Sequence, residues 1–222
     1  MKKNDKMKEY IKGQVIPINK ANIDTDIIIP KQYLKSIKKT GFGPFLFDSE
    51  RYSNPGTLDN LDQRKINPDF ILNKSPYNRG SILIVNDNFG CGSSREHAVW
   101  AIKDFGIDAV ISSSFADIFY RNSFRNGLLL ITITKLDLEK LFQNVEKNKE
   151  YELTIDLINS KITSQDGLKI SYTLDTSDRD RIIKGQDDIA ITLENREKII
   201  NFENETKRRK PWLYEELSLI HI

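Results

Sequence analysis

The sequence predicts an α/β fold in which a mostly parallel core sheet carries flanking helices and additional short antiparallel strands. Three observations lead there. The apolar runs Ser81-Ile-Leu-Ile-Val85, Ile107–Ile111 and Leu128–Ile133 each have strand length, and helical patterns fill the two gaps between them. A strand, helix, strand, helix, strand succession of these lengths pairs in parallel through right-handed crossovers. Beyond residue 150 the pattern changes: Tyr151–Leu157 and the run from Ile162 alternate as antiparallel strands do, with Asp166-Gly167 as the hairpin turn.

A chain of 222 residues, 38% hydrophobic and 30% charged, suits a soluble globular protein of one domain or two small ones. Its 34 basic and 32 acidic residues leave a net charge of +2, which gives no global field for nucleic acid or a membrane surface. No apolar run approaches the ~20 residues of a membrane span. The charged start M-K-K-N-D-K-M-K-E-Y has no apolar stretch of the secretory kind, so a cytoplasmic protein is expected. There is one cysteine, Cys91, and there are two histidines, His97 and His221. An intrachain disulfide framework is excluded, and Cys and His of this chain alone are too few for a zinc or iron–sulfur site, so no metal ligand is assigned here.

In chain order, residues 1–10 read as a flexible N-terminus. Ile11–Ile18 is strand-like, and Gly13 and Pro17 within it suggest an edge position. In A-N-I-D-T-D-I-I-I-P-K-Q-Y-L, residues 21–34, polar Asn22, Asp24, Thr25 and Asp26 precede an apolar triplet; they form a capped turn or a polar loop at the mouth of a site. Residues 33–48 put Lys35, Lys38 and Lys39 before a Gly-Phe-Gly-Pro turn, which reads as a solvated basic turn or a mobile lid. From Glu50 to Arg79 a long polar loop with a short helix or turn is expected. In the helical stretch ending at Gly127, Phe115, Ile118, Phe119 and Phe124 are assigned to the core, while Arg121, Asn122, Ser123 and Arg125 face a ligand or solvent. Leu136–Val145 has helical spacing, and Ile189–Ile200 reads as a strand and a helix. The tail with its basic cluster Lys207–Lys210 reads as a disordered charged extension or a docking segment.

The chemistry concentrates at Asn88–Asp104. Gly90 and Gly92 permit a sharp turn and close approach to the backbone. Ser93 occupies a helix N-cap position, and Glu96 three residues later completes the Ser-x-x-Glu capping box. Ala98, Val99, Ala101 and Ile102 then mark the helix's buried face. Unpaired N–H groups at a helix start attract an anion by about 0.3–2 kcal/mol. Arg95 adds a guanidinium fork suited to a carboxylate or phosphate. The residues alone leave two readings open, a merely capped helix start and an anion site.

The run N-F-G-C-G-S-S-R-E-H-A resembles the signature of the aconitase-type swivel domain, and within it the small-subunit family of 3-isopropylmalate dehydratase. N-I-D-T-D-x-I-I-P-x-x-[YF]-L at residues 22–34, N-P-D-F-I-L-N at 67–73 and S-F-A-D-I-F-Y-x-N-S-F-x-N at 114–126 carry the same resemblance. It covers about residues 11–202, taken as one swivel-like β/β/α domain, with 203–222 as a C-terminal extension beyond where relatives end. T-S-D-R-D-R-I-I-K-G at 176–185 departs from the family, where an apolar and basic stretch with a phenylalanine is usual.

The resemblance implies a hydro-lyase of leucine biosynthesis that isomerises 2-isopropylmalate and 3-isopropylmalate by dehydration and rehydration. It implies a [4Fe–4S] cluster, held by three cysteines of a separate large subunit and not by this chain. By position in the motif, Ser93 is the base, with Gly92, Ser94 and Arg95 binding a substrate carboxylate. An N-cap serine already accepts a bond from its own helix, so the division of roles between Ser93 and Ser94 stays open. Asp24, Thr25, Asp26 and His97 line the site, with His97 orienting the turn, and Cys91 is a small packing residue. Lys35, Ser36, Ile37 and Lys38 belong to the loop that reads the substrate side chain. Three alternatives are a homoaconitase-type small subunit, a nucleotide-binding module and a non-catalytic docking domain. The turn lacks both the third glycine of a dinucleotide fingerprint and the Gly-Lys-[Ser/Thr] of a phosphate loop.

Overall fold

The computed structural model describes residues 8–35, 39–54, 56–58, 60–185 and 188–214. Contacts divide the chain into two units, residues 1–185 and 186–222.

The first unit is built on seven strands: β1 (Tyr10–Ile18), β2 (Ile82–Val85), β3 (Ala109–Ser112), β4 (Leu129–Thr132), β5 (Glu152–Asp156), β6 (Lys161–Ser164) and β7 (Lys169–Ser171). They form one sheet in the order β4-β3-β2-β1-β5-β6-β7. The first four are parallel, and β5, β6 and β7 extend the sheet antiparallel from β1. The expected α/β class is observed. Strands β2 and β3 are buried at every residue, which is why they read as continuous apolar runs rather than alternations.

Strand β1 is central, not at an edge. Tyr10–Gln14 pairs antiparallel with Asp156–Glu152, and Val15–Ile18 then pairs in parallel with Ile82–Val85. The N–H of Val15 points toward the β5 side, where it donates to the Tyr151 carbonyl at 2.9 Å. Two residues on, the nitrogen of Pro17 faces the same side, beyond the end of the β5 ladder, where no donor is needed. Gly13 is required by close approach, since a Cβ there would lie 1.9 Å from Ser81 Oγ.

Helices α1 (Thr25–Ile28) and α2 (Asp48–Arg51) lie in the β1–β2 connection, α3 (Glu96–Phe105) and α4 (Asp117–Arg125) in the parallel crossovers, and α5 (Lys135–Lys147) and α6 (Thr176–Lys184) flank the antiparallel strands in sequence. Helix α3 buries Ala98, Val99, Ala101 and Ile102 as expected and ends at left-handed Gly106. Helix α4 buries Phe119 and Phe124, but Ile118 is 53% exposed and is not core. It shares the outer face with Arg121 and Arg125, three and seven residues on. At 176–185, where the sequence departs from the family, Asp175 caps α6 by accepting from the Ser177 N–H, and Ile182 and Ile183 are buried.

The segment after Lys39 is packed rather than poised as a lid. Phe42, Phe45, Leu46 and Phe47 are buried, and the Asp104 carboxylate accepts the N–H groups of Gly41 at 2.6 Å and Phe42 at 2.8 Å. A Cβ on Gly43 would lie 2.8 Å from the Asp104 backbone. The long polar connection to Arg79 is held by a buried cluster that sequence reading missed. Asp48, wholly buried, accepts from the Tyr33 hydroxyl at 2.9 Å, the Gly56 N–H at 3.2 Å and Arg64 Nη1 at 2.6 Å.

In the second unit, α7 (Asp188–Leu193) and α8 (Arg196–Arg209) are followed by a 3-10 turn at Pro211–Leu213. Two expectations are corrected here. The family pattern implies a strand at the start of Ile189–Ile200, but residues 188–193 are helical, and a helix satisfies its backbone internally whereas a strand needs a neighbouring ladder. Residues 203–209 are helical rather than disordered: Lys207, Arg208 and Arg209 lie in the last turn, where positive charge complements the helix dipole.

Candidate functional site

The site forms where the loops after β1, β2 and β3 meet at the carboxyl ends of the parallel strands, the place where α/β sheets hold ligands. Asn22 and Asn88, both at positive φ, are joined side chain to side chain at 2.7 Å, and the Asn22 N–H donates to the Asp87 carbonyl at 2.9 Å. The Asn88 N–H donates to Ser114 Oγ at 2.8 Å, and the Ala116 N–H to the Phe89 carbonyl at 3.0 Å. Gly90, at φ +76, donates to the Ile23 carbonyl at 2.8 Å; a Cβ there would lie 2.2 Å from the Phe119 ring. The turn is thereby pressed onto α4.

Two polar segments that lie more than sixty residues apart are thus fastened together. The Thr25 N–H donates to the Cys91 carbonyl at 3.0 Å, and Thr25 Oγ1 donates to the Ser93 carbonyl at 3.0 Å. Asp24 caps α1, accepting the Ile27 N–H at 2.8 Å, and its Cβ lies 3.4 Å from where a Cβ on Gly92 would be. The carboxylate of Asp26 meets the guanidinium of Arg95, whose Nη1 is enclosed yet makes no aligned hydrogen bond. Asp24, Thr25, Asp26, Gly92, Ser93 and Arg95 form one cluster. Gly92, Ser93 and Ser94 are exposed, so the cluster opens onto the surface.

The expected Ser93–Glu96 capping box does not form. Helix α3 starts at Glu96 with Arg95 as its N-cap, and no side chain caps it. The Ser93 carbonyl accepts the Arg95 N–H at 2.8 Å, which tightens the turn and puts the serine before the cap position. Glu96 instead accepts from Asn126 Nδ2 at 2.8 Å. The hydroxyls of Ser93 and Ser94 are consequently not spent on capping, which removes the conflict between capping and chemistry.

His97 lies on the inner side of this helix turn, edge-on to Phe42 at 5.2 Å and 4.6 Å from the Trp100 ring. Cys91 is half-buried with a free thiol. Lys35 is exposed at the end of the 3-10 turn Lys31–Lys35, and Ser36, Ile37 and Lys38 lie outside the described residues. Asn22 was placed in the polar turn before the apolar triplet, whereas Asn88 and Asn126 were not singled out from sequence. Asn88 bears the signal of asparagine in a left-handed turn, and Asn126 closes the motif at 114–126. Among the described residues no group of three or more His, Cys, Asp or Glu could hold a metal ion.

The glycine-lined helix start at the carboxyl edge of the parallel sheet, and the Asp-Thr-Asp turn stapled to it, both fall in the part of the chain that matches an aconitase-type domain. Residues 6–136 match the Aconitase C-terminal domain family, 139–176 match LeuD_N, and 188–216 match the C-terminal domain of the 3-isopropylmalate dehydratase small subunit. The chain is 47% identical over 211 residues to the 3-isopropylmalate dehydratase small subunit of Hahella chejuensis, covering 94% of this chain and 98% of that one. The Marinobacter nauticus protein of the same name is 47% identical over 203 residues, covering 91% and 94%. The crystal structure of 3-isopropylmalate dehydratase (leuD) from Methanocaldococcus jannaschii superposes with a TM-score of 0.58 at 27% identity, covering 87% of this chain and 99% of that one. The chain belongs to the 3-isopropylmalate dehydratase small-subunit family. The family match to residue 216 also corrects the expectation that the tail runs past its relatives.

Proposed function

We propose that this chain is the small subunit of a 3-isopropylmalate dehydratase, a hydro-lyase that interconverts 2-isopropylmalate and 3-isopropylmalate by removing water and adding it back. The observation that carries the reading is the turn of exposed Ser93 and Ser94 and half-buried Arg95 at an uncapped helix start, joined to Asp24–Asp26. Ser93 accepts the proton lost from the substrate carbon. A serine hydroxyl is ordinarily far too weak an acid to serve as a base, so its ionised form needs the N–H groups of the α3 start and the Arg95 guanidinium. Ser94, Arg95 and the Gly92 backbone hold a substrate carboxylate, with Asp26 orienting Arg95. The Lys35–Lys38 segment is assigned to reading the substrate's side chain.

This chain's residues do not fit an iron–sulfur cluster, since its one cysteine, Cys91, sits half-buried in the turn. The [4Fe–4S] cluster that the family reading requires is therefore assigned to a large subunit. The open face at Gly92–Ser94 supports a shared site completed by that partner. Among the described residues no helix is long and apolar enough to cross a membrane, and a cytoplasmic setting is part of the same proposal.

The test is turnover by this chain, alone and mixed anaerobically with a cluster-bearing large subunit, followed through ultraviolet absorbance of the alkene intermediate. Activity only in the mixture, with 2-isopropylmalate and not homocitrate, is expected. Silence from a mixture with an intact cluster, or preference for homocitrate, overturns the assignment. In the active complex, Ser93→Ala abolishes turnover while substrate still binds; wild-type turnover would remove Ser93 as the base.

A further inference from the structure

Helix α3 begins with an acidic residue beside an anion-receptive turn, an arrangement that would ordinarily work against anion binding. A glutamate in the first helical turn can fold back over the N-terminus and occupy the N–H groups and guanidinium that a substrate carboxylate needs. Here it does not. Glu96 Oε1 accepts a hydrogen bond from Asn126 Nδ2 at 2.8 Å, thirty residues further along the chain.

Asn126 is held so that only one orientation of its amide works. Its Oδ1 accepts from the Trp100 indole N–H at 2.9 Å, and its Nδ2 donates to the Asn122 carbonyl at 2.8 Å as well as to Glu96. Indole is a donor only, and carboxylate and carbonyl oxygens are acceptors only, so a flipped amide would meet all three partners with the wrong group. The backbone of Asn126 is fixed too, because its N–H donates to the Asn122 and Ser123 carbonyls at 3.1 Å in closing α4. Trp100 in turn packs on Phe42 and His97. The end of one helix thus grips the first two turns of another, and the gripped carboxylate is one that could add to Asp26 in neutralising the site.

We infer that Asn126 is a positioning residue for the reaction: by restraining Glu96 it keeps the start of α3 uncapped, leaving Ser93 and the adjoining N–H groups open to a substrate carboxylate and sparing the Arg95 guanidinium, already paired with Asp26, a second acidic partner. This rests on the function proposed above. Loss of the restraint lets the Glu96 carboxylate compete with substrate, which weakens binding rather than the chemical step.

The experiment is an exchange of donor and acceptor in the reconstituted complex. Asn126→Asp keeps the oxygen that accepts from Trp100, removes the donor to Glu96 and to the Asn122 carbonyl, and repels the Glu96 carboxylate. KM for 2-isopropylmalate is expected to rise about tenfold, the worth of one charge-assisted contact, with kcat within about threefold of wild type. Glu96→Gln combined with Asn126→Asp restores a donor and acceptor in swapped positions and the same net charge, and KM returns to within about threefold of wild type. A merely structural role for Asn126 predicts lower kcat through a smaller active fraction, with KM unmoved and no rescue by the double variant; that result overturns the inference. The same three proteins are compared by thermal unfolding of the chain alone, where recovery of Tm in the double variant reports the rebuilt bridge. If Asn126→Asp does not fold, Asn126→Ala with and without Glu96→Gln is used, and KM equal in that pair counts against the inference. No turnover by the wild-type complex counts against the proposed function, whereas wild-type turnover with KM alike in all variants counts against Asn126.

Discussion

Arg64→Ala should be among the most destabilising single changes in the chain, because it strands a buried carboxylate. Asp48 has no solvent exposure and the Arg64 side chain 9%, so water screens neither charge. Arg64 Nη1 reaches Asp48 Oδ1 at 2.6 Å and the Pro44 carbonyl at 3.0 Å, Nε donates to the Leu61 carbonyl at 3.0 Å, and the guanidinium lies 4.1 Å from the Tyr52 ring centre. After truncation Asp48 keeps, among the described residues, only the Tyr33 hydroxyl and the Gly56 N–H as donors to its side chain. Removing one partner of a buried pair costs about 3–5 kcal/mol. At roughly 2–4 °C per kcal/mol for a chain of this size, Tm falls by roughly 6–20 °C. The assay is thermal and urea unfolding followed by far-ultraviolet circular dichroism. Arg209→Ala is the internal control: its pair with Glu205 is 71% and 65% exposed, and exposed pairs contribute less than about 1 kcal/mol. A loss below about 1 kcal/mol for Arg64→Ala, or equal losses for the two variants, would show that the Asp48 cluster does not hold the β1–β2 connection as argued.

Further outcomes follow from the same contacts. Gly90→Ala drives a Cβ to 2.2 Å from the Phe119 ring at φ +76, so it should lose more than about 3 kcal/mol in unfolding or fail to accumulate folded protein. Gly92→Ala meets nothing nearer than 3.4 Å but sits at φ +87; stability should fall by only about 1–2 kcal/mol while turnover of the reconstituted complex drops far more, because the turn must relax next to Ser93. Burial first, and then the Asp48 carboxylate, push the Tyr33 hydroxyl well above the usual tyrosine range. A raised folded-state value gives stability that is fully present below about pH 10 and lost as pH rises through that region toward the folded-state value. Tyr33→Phe should therefore show a shallower loss of stability above about pH 10 than wild type; equal slopes there would count against that linkage.

The parallel half of the sheet was readable in advance because burial on both faces turns β2, β3 and β4 into plain apolar runs. The Ser93 turn was readable because its glycines, hydroxyls and arginine are consecutive. Features set by distant partners could not be read locally. Strand β1 carries the marks of an edge, Gly13 and Pro17, yet lies in the middle, since β5 leaves its side before Pro17 and Ser81 crowds Gly13. Asp48 stands in an apolar stretch with no local hint of Arg64, sixteen residues on, as its counter-ion. In the second unit the strand expected from the family pattern at 189–200 is replaced by helix, because the segment closes its own backbone.

The capping box shows why the site was only half legible. Ser93 and Glu96 have the spacing at which local rules write a closed helix start, and a closed start would have been the more stable local choice by about 1 kcal/mol. The structure declines that choice: Arg95 takes the cap position without capping, Asn126 draws Glu96 aside, and Thr25 and Asp26 grip the turn from another segment. Each of these contacts spans thirty residues or more. A site that must bind an anion cannot let its own sequence satisfy its donors, so the place where local preference is overruled from a distance coincides with the place where chemistry is expected.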